Sequence, residues 1–186
     1  MIKKKPAFWS LAKKELRKND KKLGKIIDTY PSDFLFSKSD PFLTLARSIV
    51  GQQISVRAAQ SVWDKLVLKV GKINPNQIKK THSNTLKSAG LSRQKVIYLK
   101  NLSEAFIDNQ FKISSWKKMS DEEIILELVK IKGIGRWTAE MFLIFNLCRQ
   151  DVCPFDDIGM IKGLCKSHNL KYPINRKKLI QISNKW

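Results

Sequence analysis

Apolar residues recur every three or four positions along most of this chain, and no run alternates apolar with polar residues long enough to pave one face of a sheet. That pattern predicts an all-α fold. Ala59, Val62, Trp63, Leu66, Val67 and Val70 form one apolar stripe, on a helix that Ser55 would cap and Gly71 would end. Val96, Leu99, Leu102 and Phe106 form a second stripe, and Ile124, Ile125, Leu128 and Val129 a third. Ser120 stands three residues before Glu123, the spacing of a capping box, in which hydroxyl and carboxylate each satisfy an orphan backbone N–H. The first forty residues read as one basic helix, about Phe8 to Ile27, followed by a loop from Pro31 to Asp40. There is no repeat, no low-complexity linker and no clean boundary, so one domain, or two small helical lobes sharing a core, is expected.

Charge narrows the partners. The 186 residues carry 36 Lys and Arg against 16 Asp and Glu, a formal net charge of +20. With 42% hydrophobic residues, five Trp and nine Phe, the chain has the material for a core, so the charge sits on a folded surface. Such a surface attracts polyanions through counterion release, although a lysine-rich genome also inflates basic composition. The longest unbroken apolar run, Met141 to Phe145, is far below the roughly 20 residues of a membrane span, and no apolar stretch follows Lys3, Lys4 and Lys5 as in a signal peptide. A cytoplasmic, nucleoid-associated location without membrane attachment is expected. Cys148, Cys153 and Cys165 are odd in number and show no CxxC pairing, so they read as reduced thiols, too few for a four-thiolate iron–sulfur cluster. His82 and His168 have no neighbouring ligand pattern and read as surface or core residues.

The segment Ile131-Lys132-Gly133-Ile134-Gly135-Arg136-Trp137-Thr138-Ala139-Glu140-Met141 joins the third stripe to the next apolar helix. Two helices joined by a tight hairpin are expected over 121–146. Gly133 and Gly135 can take positive φ and let backbone N–H groups approach an anion, and the helix that follows offers orphan amides and a favourable dipole. A plain helical corner is the competing reading of two glycines so spaced.

Gly133 to Ala139, followed by Asp151-Val152-Cys153-Pro154-Phe155-Asp156-Asp157, resembles the helix-hairpin-helix (HhH-GPD) DNA glycosylase superfamily, and in particular its 3-methyladenine DNA glycosylase II branch. The stretches Asp20 to Tyr30, Ser48 to Val56 and Ala89 to Lys95 resemble the same branch in the same order, so the likeness covers the chain from about Ala7 onward. It implies a two-lobed all-helical glycosylase fold in one unit spanning 1–186. Lobes of about 41–118 and 119–165 are expected, with the termini packing together and no extra N-terminal β domain. The implied activity is base excision repair: hydrolysis of the N-glycosidic bond of alkylated purines in duplex DNA by a monomer, leaving an abasic site. A monovalent cation held by backbone carbonyls near Lys132 and Ile134 is implied, with no side-chain metal ligands and no other cofactor.

The resemblance also assigns roles. Asp157 matches the catalytic aspartate at the start of the helix after the hairpin. A carboxylate there stabilises positive charge on the sugar as the base departs, or orients water. Helix capping is the ordinary reading of both aspartates and is assigned to Asp156. Lys132, Gly133, Ile134, Gly135, Arg136 and Thr138 fall on the DNA-binding hairpin, with surface charge the default for Lys132 and Arg136, and for Arg93 and Lys95. Trp137 occupies the position where bifunctional members carry a Schiff-base lysine, which implies no strand cleavage. Trp137 either stacks on the extruded base or packs in the core. Gln52 and Gln53 sit in a polar break, and the resemblance makes Gln53 the wedge that fills the vacated stack, with Gln52 beside it; a solvated linker is the alternative. Met141 stands where an aromatic pocket residue is common.

The family continues past a tryptophan like Trp186 into a final aromatic helix, and the sequence stops at Trp186, so a pocket lacking that helix, or one covered by the basic N-terminal helix, is expected. Three other functions fit parts of the pattern: a noncatalytic helix-hairpin-helix DNA-binding protein, a lyase using Lys130 or Lys132, and a basic RNA-associated protein.

Overall fold

The computed structural model describes residues 5–38, 40–111 and 113–186, and these hold α-helices, one short 3-10 turn at Ile113–Ser115, and no strand. No helix among them is long and apolar enough to cross a membrane. The chain divides into two compact units. One is contiguous, Lys38–Leu147, and the other combines the stretch up to Ser37 with Cys148–Trp186. Residues 41–118 and 119–147 therefore share one unit.

The segment expected to form a single N-terminal helix is two helices, α1 (Trp9–Asn19) and α2 (Lys21–Thr29). Asp20 makes the break. Its backbone is extended (φ −141°, ψ 105°), and its carboxylate accepts the amides of Lys22 at 2.8 Å and Leu23 at 3.2 Å, so it serves as the N-cap of α2. An aspartate that can satisfy two orphan amides in this way competes with helix continuation.

The contiguous unit contains α3 (Pro41–Gly51), α4 (Val56–Val70), α5 (Pro75–Lys80), α6 (Ser83–Ser88), α7 (Arg93–Ile107), α8 (Asp121–Leu128) and α9 (Arg136–Phe145). Helix α3 is its centre and packs on α4, α7 and α9. Leu45, Ile49, Leu66, Leu99, Leu102, Ile124, Leu128, Phe142 and Leu143 are fully buried. An aromatic chain, Phe42–Phe106–Phe111–Trp116–Phe142, runs with successive ring centroids 5.0 to 5.3 Å apart. The expected caps form: Ser55 on Ala58, and the reciprocal Ser120–Glu123 box. The stripes are narrower than their sequence suggests. Trp63, Leu66 and Val70 are buried, while Val67 lies about 70° round the helix from that line and is exposed, as is Val129, just past the end of α8.

The discontinuous unit contains α1, α2, α10 (Ile158–His168) and α11 (Arg176–Ser183). Helix α1 contributes no buried residue, and the apolar core here is small, with Leu164, Cys165 and Leu179 its most buried members. Polar contacts hold the segments together. Asp20 Oδ2 lies 2.9 Å from His168 Nε2 and accepts the Trp186 indole N–H at 3.0 Å, while Lys22 Nζ donates to the His168 carbonyl at 2.7 Å. Burial pushes the Asp20 carboxyl up, but the hydrogen bonds from Trp186, His168 and the backbone of Leu23 and Lys22 outweigh it and hold the group well below the usual carboxylate range. His168 is thus a part-buried partner of a carboxylate 148 residues away in sequence.

Candidate functional site

The hairpin lies between α8 and α9, and its two glycines have different duties. Gly133 has φ +108°, and a Cβ added there would land inside the Tyr98 ring, so both backbone conformation and packing against α7 exclude a side chain. Gly135 has φ −91° and open space around its Cα, so nothing inside the protein requires glycine. As N-cap of α9 it brings no side-chain acceptor to the first-turn amides, and it leaves that helix end open to close approach by an anion. Ile134 is an anchor: its side chain is buried and its amide donates to the Ile131 carbonyl at 3.0 Å, so that amide is committed within the hairpin.

The charged residues differ as well. Lys132 is exposed. Arg136 is engaged by two acids, its NH1 and NH2 on the Glu122 carboxylate at 3.0 and 2.8 Å and its Nε on Glu140 Oε1 at 3.1 Å. Hydrogen bonding to Glu122 strengthens the guanidinium's hold on its proton and lowers the Glu122 carboxyl. Arg136 therefore ties the start of α8 to the start of α9. Thr138 is 2% exposed, and its Oγ1 accepts from Gln52 Nε2 at 3.1 Å. Trp137 is half-buried in the first turn of α9, and Met141 is buried one turn on.

Gln52 and Gln53 are separated by the structure. The Gln52 amide donates to the Gly133 carbonyl at 3.0 Å as well as to Thr138, which binds the loop after α3 to the hairpin. Gln53 is exposed with φ +58°, in the left-handed region that a non-glycine residue rarely adopts. Lys95 departs from the surface charge expected of it. Its ammonium is instead half-buried and donates to the carbonyls of Val50 at 2.7 Å and Gln52 at 2.8 Å, and burial lowers its pKa. A signal was available: a lysine in the first turn of a helix opposes the dipole, so its place there needs a tertiary reason.

Asp157, in the other unit, is the N-cap of α10. Its Oδ1 accepts the Met160 amide at 2.6 Å, and the side chain is half-buried. Gly159 lies beneath it, where a Cβ would stand 3.1 Å from Oδ1. The cap assigned to Asp156 belongs to Asp157: Asp156 is exposed and pairs with Arg176 at 2.8 Å. Capping and chemistry are compatible at Asp157, because one oxygen on a backbone amide fixes the direction of the carboxylate. Among the described residues, no group of three or more His, Cys, Asp or Glu side chains converges as a metal ion would need.

An all-helical chain with a glycine hairpin opening a helix, and an aspartate capping the helix after it, defines a helix-hairpin-helix protein. Comparison with known proteins makes this specific. Residues 46–186 match the model of the HhH-GPD superfamily base excision DNA repair proteins, and the chain belongs to that superfamily. DNA-3-methyladenine glycosylase 1 of Schizosaccharomyces pombe is 34% identical over 159 residues, covering 83% of this chain and 70% of its own. DNA-3-methyladenine glycosylase of Saccharomyces cerevisiae is 38% identical over 137 residues, covering 68% of this chain but 46% of its own, so the chain spans about half of that relative. Among solved structures, the S. pombe 3-methyladenine DNA glycosylase Mag1 in complex with abasic DNA aligns with a TM-score of 0.84 at 27% identity, over 94% of this chain and 88% of that one.

Proposed function

We propose that the chain is a monofunctional DNA glycosylase of base excision repair that removes alkylated purines of the 3-methyladenine type from duplex DNA. It acts as a cytoplasmic, nucleoid-associated monomer. The observation that carries this reading is Asp157, held by its own helix cap in a chain 34% identical to a DNA-3-methyladenine glycosylase.

The hairpin grips one phosphate through the open start of α9, with Lys132 adding charge, while Gln53 enters the stack vacated by the extruded base and Trp137 lies beside that base. As the glycosidic bond breaks, its electron pair leaves with the purine nitrogen and positive charge develops on the sugar. The Asp157 carboxylate faces that charge. Water supplies the new bond to C1′ and releases its proton to the carboxylate or to solvent. An alkylated purine is already cationic and departs neutral, so no strong general acid is required. The tryptophan at 137, in place of a nucleophilic lysine, accounts for hydrolysis without a Schiff base, and borohydride should trap no covalent adduct.

A monovalent cation at the hairpin, held by the carbonyls of Lys132 and Ile134, belongs to the same proposal. The donors fit: they are hard backbone oxygens, and the 3.3 Å contact from Asn101 Nδ2 to the Lys132 carbonyl uses one of its two lone pairs. Bound there, the ion would add positive charge beside the gripped phosphate. Duplex affinity should then fall when potassium and sodium are exchanged for a bulky organic cation at constant ionic strength.

The central test uses duplex DNA carrying N-methylpurines, incubated and then treated with hot alkali. Wild type should yield abasic sites, and Asp157→Asn should form them about 10³-fold more slowly while binding DNA normally. Asparagine caps helices as well as aspartate does, so the variant removes charge and keeps the cap. Undiminished excision by this variant would refute the assignment.

A further inference from the structure

The loop between α3 and α4 is held from two sides by contacts that the glycosylase reading does not use. On one side the Lys95 ammonium, reaching from the first turn of α7, bridges the carbonyls of Val50 and Gln52 at the C-terminal end of α3. On the other, the Gln52 side-chain amide bridges the Gly133 carbonyl of the hairpin and the buried Thr138 hydroxyl of α9. Gln52 is therefore gripped through its main chain by α7 and through its side chain by the hairpin. The next residue, Gln53, is exposed and bears the left-handed backbone angle. A glutamine does not take that conformation unaided, so it persists where surrounding contacts over-determine it. Lysine suits the task because a helix C-terminus collects unpaired carbonyls, and a cation there satisfies them and complements the dipole. Tyr98, one turn further along α7, occupies the space beside Gly133 that a Cβ would need, so the same helix supports both loop and hairpin.

We propose that Lys95 and Gln52 are positioning residues for base extrusion: they fix the Gln53 tip at a set offset from the Gly133–Gly135 hairpin, so that gripping the phosphate and driving Gln53 into the stack form one rigid step. The proposal rests on the reading of the chain as a base-extruding glycosylase. It assigns to neither residue any contact with the reacting atoms.

Three measurements on the full chain test it: affinity for undamaged duplex, affinity for a duplex containing a tetrahydrofuran abasic analogue, and the single-turnover rate of excision from an N-methylpurine duplex. Lys95→Met keeps the aliphatic stem and removes the ammonium. Affinity for undamaged duplex, set by phosphate contacts, should change less than about twofold. The preference for the abasic analogue and the excision rate should each fall roughly 10- to 100-fold, as expected for misplacement by a fraction of an ångström to an ångström. The excision defect should shrink when the lesion is mispaired and already loosely stacked. Lys95→Arg, which can still donate to both carbonyls, should restore most of the loss. Gln52→Met, a change at the hairpin end of the same brace, should give the same split and serves as the test if Lys95→Met does not fold. Equal loss on both duplexes, no loss on either, or failure of arginine to rescue would overturn the proposal. Absence of excision by wild type would instead refute the glycosylase reading. The abasic-to-intact affinity ratio would still test the brace, because an abasic gap accepts the wedge without any chemistry.

Discussion

Each of the two units of this chain is stabilised internally by different physics. The contiguous unit rests on apolar packing: α3 is enclosed by α4, α7 and α9, and a run of leucines, isoleucines and aromatics is removed from water. The discontinuous unit has a small core and an outer helix, α1, with no buried residue; it is pinned by Asp20, His168 and Trp186. Hydrophobic burial involves no titrating group and tolerates changes of pH, whereas a buried hydrogen-bonded carboxylate does not. The unit that holds the hairpin is thus expected to be the less sensitive to acid, and the unit that holds Asp157 the more sensitive.

The largest effect expected on either side is chemical. Asp157→Asn should lower single-turnover excision about 10³-fold, equivalent to about 4 kcal/mol of transition-state stabilisation, with the melting temperature unchanged. In the contiguous unit, Gly133→Ala should destabilise by about 2 to 4 kcal/mol. Positive φ costs an alanine about 1 to 2 kcal/mol, and displacing Tyr98 adds a comparable amount. Denaturant unfolding will measure it. In the discontinuous unit, Asp20→Ala strands the Trp186 and His168 donors and removes the α2 cap, a loss of about 3 kcal/mol. Hydrogen exchange should localise that loss to α2 and α10 and leave α3 and α7 protected; uniform loss of protection would break the contrast between the units.

Acid should sharpen the same contrast. The folded-state pKa of Asp20 is depressed, so its contribution to stability is fully present above the unfolded carboxylate value of about 4 and is lost as pH falls through the lowered folded value. Below about pH 4 the discontinuous unit should therefore loosen before the contiguous one, and Asp20→Asn should flatten that part of the stability profile. The smallest effect belongs to Gly135→Ala, at a site with open space and ordinary φ. Stability should change by less than about 1 kcal/mol, the difference between glycine and alanine at an N-cap, while DNA affinity falls because a methyl group stands where the phosphate approaches.

The helices of the contiguous unit were legible because their signals are local: a stripe at helical spacing, Ser55 and Ser120 as caps, and glycines at the hairpin. The HhH-GPD family was legible from four ordered motifs. What the sequence concealed was the use to which ordinary polar residues are put across long separations. Asp20 reads as one more polar position in a basic amphipathic helix until its capping and its reach to His168 and Trp186 are known. Arg136 reads as a cation for DNA until Glu122 and Glu140 are found on it. Lys95 shows the reverse case, a surface charge by composition that is a half-buried brace by geometry. In each instance propensity and period describe neighbours along the chain, while the deciding partner comes from another element.

The split of one unit across the chain also sets an order of events during synthesis. Residues 38–147 can collapse as soon as they emerge, since they form one contiguous unit. Asp20 must wait for His168, 148 residues downstream, an interval of roughly 7 to 30 s at ordinary translation rates. Throughout that interval α1 and α2 are a basic pair whose own unit is only half made, while the contiguous unit is free to fold.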